Sequence, residues 1–170
     1  MERQVERTKE PEPQLDHYDA MRARWKKMIE GYKNGKRVVK FSEIKWEQNK
    51  QAIIKRYADP LNPQDVAAPF WLAFMHHIKK HSGKHTHQGG LPIYVVEGTG
   101  YSIVDGVRYN WKKGDLLLLP IKPGGVEHQH FSDNPDEPAR WIAIRWYPLL
   151  DFLANTTEQN EVHPDYAGKK

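Results

Sequence analysis

From Pro69 to Trp146 the chain is divided into short apolar runs by glycine and proline, and this punctuation restricts its fold more than any other feature. The runs are Phe70–Ile78, Leu91–Glu97, Tyr101–Val104, Val107–Trp111, Asp115–Leu119, Glu127–Phe131 and Arg140–Trp146. Each has the length of a strand and is short for an ordinary helix. Asp105-Gly106, between two of them, has the residues a tight hairpin turn needs, because both favour positive φ. Short strands with such regular punctuation predict an all-β barrel or sandwich.

The texture before Pro69 is different. Residues 1–15 hold Pro11 and Pro13 among charges and are expected to form a disordered tail. Tyr18, Met21, Trp25, Met28, Ile29 and Tyr32 fall at helical spacing. They predict an amphipathic helix over 16–33, with Asp16 as N-cap and Gly31 or Asn34-Gly35 at its end. Val38–Ile44 reads as a short strand. Trp46–Tyr57 reads as a second short helix, closed by Asp59-Pro60. The expected organisation is therefore a tail over 1–15, a helical arm over 16–60, a barrel over 61–150 and a polar tail over 151–170. The apolar stripe of the arm needs cover, from its own barrel or from another chain, and predicts a homodimer or higher homo-oligomer.

The chain contains no cysteine, which excludes disulfides, thiolate catalysis and cysteine-ligated metals. Any metal site must use histidine and carboxylate. The net charge of +4 is concentrated in residues 1–60, where 15 Lys/Arg face 10 Asp/Glu. This reads as a solvated helix face rather than a nucleic-acid surface. No apolar segment follows Met1-Glu2-Arg3-Gln4, so neither a signal peptide nor a membrane span is expected, and the cytoplasm is the expected location.

Seven of the nine histidines lie between positions 76 and 130. Two groups stand out: His85-Thr86-His87 and His128-Gln129-His130. Residues i and i+2 of a strand point to the same face, so each group presents two imidazoles to one side. Facing the barrel interior, they supply convergent nitrogen ligands for Zn, Fe, Mn, Ni or Cu. Facing outward, they are surface or hydrogen-bonded histidines. His76, His77 and His81 lack such a pattern and read as structural, and His17 and His163 as solvent-exposed.

These residues resemble the two motifs of the cupin superfamily. The first is Gly83-Lys84-His85-Thr86-His87, then Leu91 and Gly98. The second is Gly114-Asp115-Leu116-Leu117-Leu118-Leu119-Pro120, then Gly125-Val126-Glu127-His128. The resemblance spans about Phe70–Trp146. It implies a mainly β fold, a double-stranded β-helix or jelly-roll barrel, here with an N-terminal helical arm. It implies a metal held by His85, His87 and His128.

The glutamate ligand common in metal-binding cupins is missing, since Leu91 and Pro92 stand at its place. A three-histidine set resembles the gentisate and salicylate ring-cleaving dioxygenases. That likeness implies Fe(II) as cofactor, with Zn, Ni or Mn able to occupy the same donors. It implies a small phenolic or aromatic substrate and O2 as partners, in aromatic compound catabolism. His130 becomes the acid–base residue near bound substrate. The arginine that binds a ring carboxylate in those enzymes is replaced by Ile93. Leu91 and Ile93 share the parity of the ligands and are expected to wall the pocket, so uncharged phenols are expected to bind better than carboxylated ones, unless Arg145 points inward. Trp71, Phe74, Tyr94, Trp111, Trp141 and Trp146 are candidates for an aromatic lining. The second reading is a non-oxidative small cupin: a metal-stabilised binding module, accessory subunit, isomerase or lyase.

Overall fold

The computed structural model describes residues 16–60, 66–137, 139–153 and 157–166. The tail expected over 1–15 lies outside them. Two antiparallel sheets face each other. The first contains β1 (Glu47–Gln48), β2 (Ile53–Ala58), β3 (Trp71–Ile78), β5 (Leu91–Glu97), β8 (Leu116–Leu119) and β10 (Ala139–Trp146). Its strand order is β1-β2-β3-β10-β5-β8. The second contains β4 (Lys84–His87), β6 (Thr99–Val104), β7 (Val107–Lys112), β9 (Val126–Ser132) and β11 (Glu158–Glu161). Its order is β11-β4-β9-β6-β7. The architecture is thus mainly β with one long N-terminal helix, α1 (His17–Asn34).

Strand parity builds the interior. Along β5 the buried residues are Leu91, Ile93 and Val95, and along β10 they are Ala139, Trp141, Ala143 and Arg145. Ile78, Val104, Trp111, Leu119 and Val126 join all of these but Arg145 in one core cluster between the sheets. The β6–β7 hairpin turns on Asp105 and Gly106, whose φ angles of 49° and 80° are those expected of that dipeptide. Gly100 solves a different problem. A Cβ there would lie 2.1 Å from the Phe131 carbonyl oxygen and 2.4 Å from the Trp111 ring, so a side chain is excluded by packing.

Helix α1 forms where expected, with the Asp16 carboxylate accepting a hydrogen bond from the Asp19 amide at 2.9 Å. Its stripe is only partly covered: Met21 and Met28 are half-buried, while Tyr18, Trp25, Ile29 and Tyr32 are exposed. No helix among the described residues is long and apolar enough to cross a membrane.

Three expectations are corrected. Trp46–Tyr57 is not a helix. The Asn49 side chain accepts from the amides of Gln51 and Ala52, at 2.9 and 3.0 Å, and this turn separates β1 from β2. Strand β2 then pairs with β3, which a helix could not do. Val38–Ile44 is not a strand. It bends through a short 3-10 turn at Phe41–Glu43. The Phe41 carbonyl accepts from Lys55 Nζ at 3.0 Å, and the same ammonium lies 3.7 Å from the Phe41 ring centroid. The polar stretch after 151 is not only a tail. It supplies β11, which completes the edge of β4 by backbone pairing and leaves no apolar trace because all its side chains are exposed. A short helix, α2 (Tyr147–Phe152), precedes it.

Gly100→Ala is expected to lower unfolding free energy by about 1–3 kcal/mol, the usual cost of overpacking a filled site. Urea denaturation of the two proteins checks this.

Candidate metal centre

Strands β4 and β9 lie side by side with His85 directly opposite His128 and His87 opposite Val126. Parity turns His85, His87 and His128 inward together, and all three are buried. Their ring centroids are 4.3–4.7 Å apart. One nitrogen from each lies within 4.8 Å of the others, and this trio is the donor group found among the described residues. Gly125 lets the chain enter β9 close to β4, because a Cβ there would sit 2.9 Å from the His87 carbonyl.

His87 Nδ1 lies 2.6 Å from the Gln88 carbonyl oxygen and 2.8 Å from Arg145 Nη2, which can only donate. His128 Nδ1 donates to the Val126 carbonyl at 3.1 Å and so keeps its Nε2 lone pair free. His85 Nδ1 is buried with no hydrogen-bond partner among the described residues. Burial holds these groups neutral. His87 is lowered to about 3 by burial and then by the Arg145 cation, and His128 to about 4 by burial. His85 is pushed further below the ordinary imidazole range, by burial and by its neighbouring histidines. Neutral imidazoles with free lone pairs and one orphaned nitrogen fit a divalent transition metal.

The three rings border a cavity of about 350 Å³ between the sheets. Leu91 and Ile93 line it, on the parity expected of them. Phe74 and Trp141 line it from β3 and β10. The other proposed aromatics do not. Trp71 is 42% exposed and pairs with the equally outward Trp146 across β3 and β10. Tyr94 alternates outward between Ile93 and Val95. Trp111 is buried but stands behind the cavity wall, where its indole nitrogen donates to Ser102 Oγ at 2.8 Å. Parity sends Trp71 out, and the position of β7 at the edge of the second sheet keeps Trp111 behind β6 and β9.

Arg145 points inward. It is buried and lines the cavity, and its Nη2 donates to the Gln88 carbonyl at 2.9 Å, beside His87. Its Nε has no hydrogen-bond partner among the described residues, and burial lowers the guanidinium to about 10, still a cation at neutral pH. His130 also lines the cavity, with 1% of its surface exposed.

His76 departs from its structural reading. It stacks on Trp141 with centroids 3.9 Å apart, lines the cavity and leaves Nδ1 unpartnered. The overlooked signal is the i, i+2 run Leu72, Phe74, His76 along β3, all three of which line the cavity. His77 accepts from Arg140 Nε at 3.1 Å, and His81 sits against Gln129, both away from the cavity lining. His17 is exposed. His163 is corrected from exposed to buried: its amide donates to the Lys50 carbonyl at 3.0 Å, which folds the ring inward.

Residues 74–145 match the cupin domain model. That stretch is similar to a cupin domain. Among related proteins, the gentisate 1,2-dioxygenase of Ralstonia sp. is 34% identical over 70 residues, 41% of this chain and 19% of that one. The 5-aminosalicylate 1,2-dioxygenase of Comamonas sp. is 26% identical over 113 residues, 66% of this chain and 29% of that one. The chain thus spans less than a third of the length of the curated relatives it matches. A salicylate 1,2-dioxygenase variant from Pseudoaminobacter salicylatoxidans, in complex with gentisate, superposes with a TM-score of 0.55 at 20% identity. That match covers 98% of this chain and 53% of the other, and it shows the common fold.

Replacing His85 and His87 together with alanine is expected to abolish stoichiometric metal while leaving a folded barrel, as read by elemental analysis and circular dichroism. A second expectation concerns acid. His76 and His87 are held at about 3 and His128 at about 4, against 6.5 for a free imidazole. The unfolded chain therefore binds more protons between those values, so stability is full above 6.5 and falls as pH drops toward the folded values. Each such group contributes about 1.4 kcal/mol per pH unit in that window. Thermal unfolding of metal-free protein should show a midpoint that falls steadily on acidification from neutral pH.

Proposed function

We propose that this protein is a non-haem Fe(II) dioxygenase that opens a small hydroxylated aromatic ring with O2. The observation that carries the reading is the convergence of three neutral imidazoles, with no carboxylate among them, on a cavity of aromatic size. The two curated relatives are both named as 1,2-dioxygenases of hydroxylated or amino-substituted aromatic acids, which supports the same class of chemistry. His85, His87 and His128 would hold the metal, and Zn, Ni or Mn would suit the same donors. When bound, the metal supplies Lewis acidity toward a ring hydroxyl and a site for O2.

The chain's own residues do the rest. Leu91, Ile93, Phe74 and Trp141 enclose an apolar ring and exclude water. Arg145 reverses the preference for uncharged phenols. A buried guanidinium with an unpartnered Nε is a ready partner for a ring carboxylate, so we assign a carboxylated phenol as substrate. His130 faces the same cavity two residues beyond His128 and hydrogen-bonds an oxygen of the bound ring. The exposed part of the α1 stripe suits a homodimer or higher homo-oligomer, and we place the protein in the cytoplasm.

Iron-loaded protein, reconstituted without air, should consume O2 when given a panel of hydroxybenzoates and dihydroxybenzenes. Arg145→Gln should raise KM for the carboxylated substrates by about 10- to 100-fold, the loss of a charged hydrogen bond. His130→Ala should retain its iron and lose about 10²–10³-fold in turnover, the usual cost of removing a positioned hydrogen-bond donor. Absence of O2 uptake with every member of the panel, in protein shown to hold Fe(II), would replace this reading with a metal-stabilised binding module.

A further inference from the structure

Behind His130 lies a short polar chain sealed inside the second sheet. Ser102, on β6, is fully buried, and β6 pairs with β9 so that Ser102 stands opposite His130. Trp111 Nε1 donates to Ser102 Oγ at 2.8 Å, and the same oxygen lies 2.7 Å from His130 Nδ1. The direction of the second bond follows from proton counting. An indole nitrogen can only donate, and a hydroxyl carries one proton. If His130 Nδ1 carried the proton, Ser102 Oγ would accept twice, and its own hydrogen would find no acceptor among the described residues. Burying that hydrogen unpaired is costly. The hydroxyl therefore donates to Nδ1, and the imidazole carries its proton on Nε2.

We propose that Ser102, held in orientation by Trp111, is a positioning residue. It fixes His130 in the Nε2–H tautomer and presents that N–H to the cavity as a hydrogen-bond donor for an oxygen of the bound ring. The proposal rests on the reading of His130 as a working residue of the site. Trp111 and Ser102 do not line the cavity, so they act on a ligand only through His130. The packing supports a fixed arrangement. Gly100 brings the β6 backbone against the Trp111 ring, and Ser82 Oγ accepts from the His130 amide at 2.9 Å.

The test is the tautomer itself, read on metal-free full-length protein with isotope-labelled histidine. Two-bond proton–nitrogen NMR separates protonated from unprotonated ring nitrogens, and a His130→Gln variant identifies the His130 signals. Wild-type protein should show Nδ1 unprotonated and Nε2 protonated. Trp111→Phe removes the indole donor without touching His130. It frees the hydroxyl to accept, so the Nδ1–H form should appear. Ser102→Ala should likewise give a mixture. A proton on Nδ1 in wild-type protein would overturn the proposal, as would an unmixed Nε2–H tautomer in both variants. The wild-type spectrum decides the bond direction by itself, so a variant that fails to fold leaves that result standing. No metal, substrate or O2 enters this measurement. A silent oxygen electrode with the expected tautomer defeats the dioxygenase reading alone, and the reverse result defeats this proposal alone.

Discussion

The pairing of β4 with β9 is the constraint on which the rest of this structure depends. It sets His85 opposite His128 and, by parity, brings His87 to the same interior face. A shift of one residue in that register would turn the imidazoles to the outer surface and Thr86 to the inside. The register is protected on both sides. Gly125 permits the close approach of the chain that enters β9, and β11 pairs along the outer edge of β4. Once inside, the imidazoles lose their proton affinity to burial, and that loss makes them metal donors rather than cations.

A second layer decides how each imidazole is turned. The Val126 carbonyl holds the Nδ1 proton of His128, and His87 Nδ1 is held between the Gln88 carbonyl and Arg145 Nη2. Ser102 meets Nδ1 of His130 from behind. Arg145 shares the Gln88 carbonyl with His87, which places a fixed cation beside the donor cluster and lowers the proton affinity of His87 further. The cavity is polar at the histidines, at Arg145 and along Asn49, Gln51, Arg56 and Asp59, and apolar along Leu91, Ile93 and Phe74.

Much of the site was legible before any coordinates. The pairs His85/His87 and His128/His130 were readable because alternate residues of a strand share a face and both stand in short runs beside glycine; the choice of His85, His87 and His128 as ligands came from the cupin resemblance. Leu91 and Ile93 followed from the same parity. The aromatic lining was not readable in this way. Trp71, Tyr94, Trp111, Trp141 and Trp146 all have the size and chemistry for it, yet only Trp141 reaches the cavity with Phe74. An isolated tryptophan in a strand declares its bulk but not its side of the sheet. His76 was hidden for a related reason: its neighbour His77 obscures the alternation that runs through Leu72 and Phe74. In the N-terminal segment, the spacing of apolar residues suggested a helix over Trp46–Tyr57. The Asn49 turn and the vacant edge of β3 made it a hairpin strand.

The sequence by itself determined the β class, the Asp105-Gly106 hairpin, helix α1 and the two histidine pairs. Each depends on local geometry: two-residue alternation, a positive-φ turn or helical periodicity. Tertiary structure decided the rest, because the deciding partners are far apart in the chain. Arg145 became a cavity cation only when β10 took its place between β3 and β5. The polar run Glu158–Glu161 became a strand only because β4 had an open edge. Trp111 became a support for His130 rather than a wall for a ligand because Ser102 stands between them, and that contact joins residues from three strands.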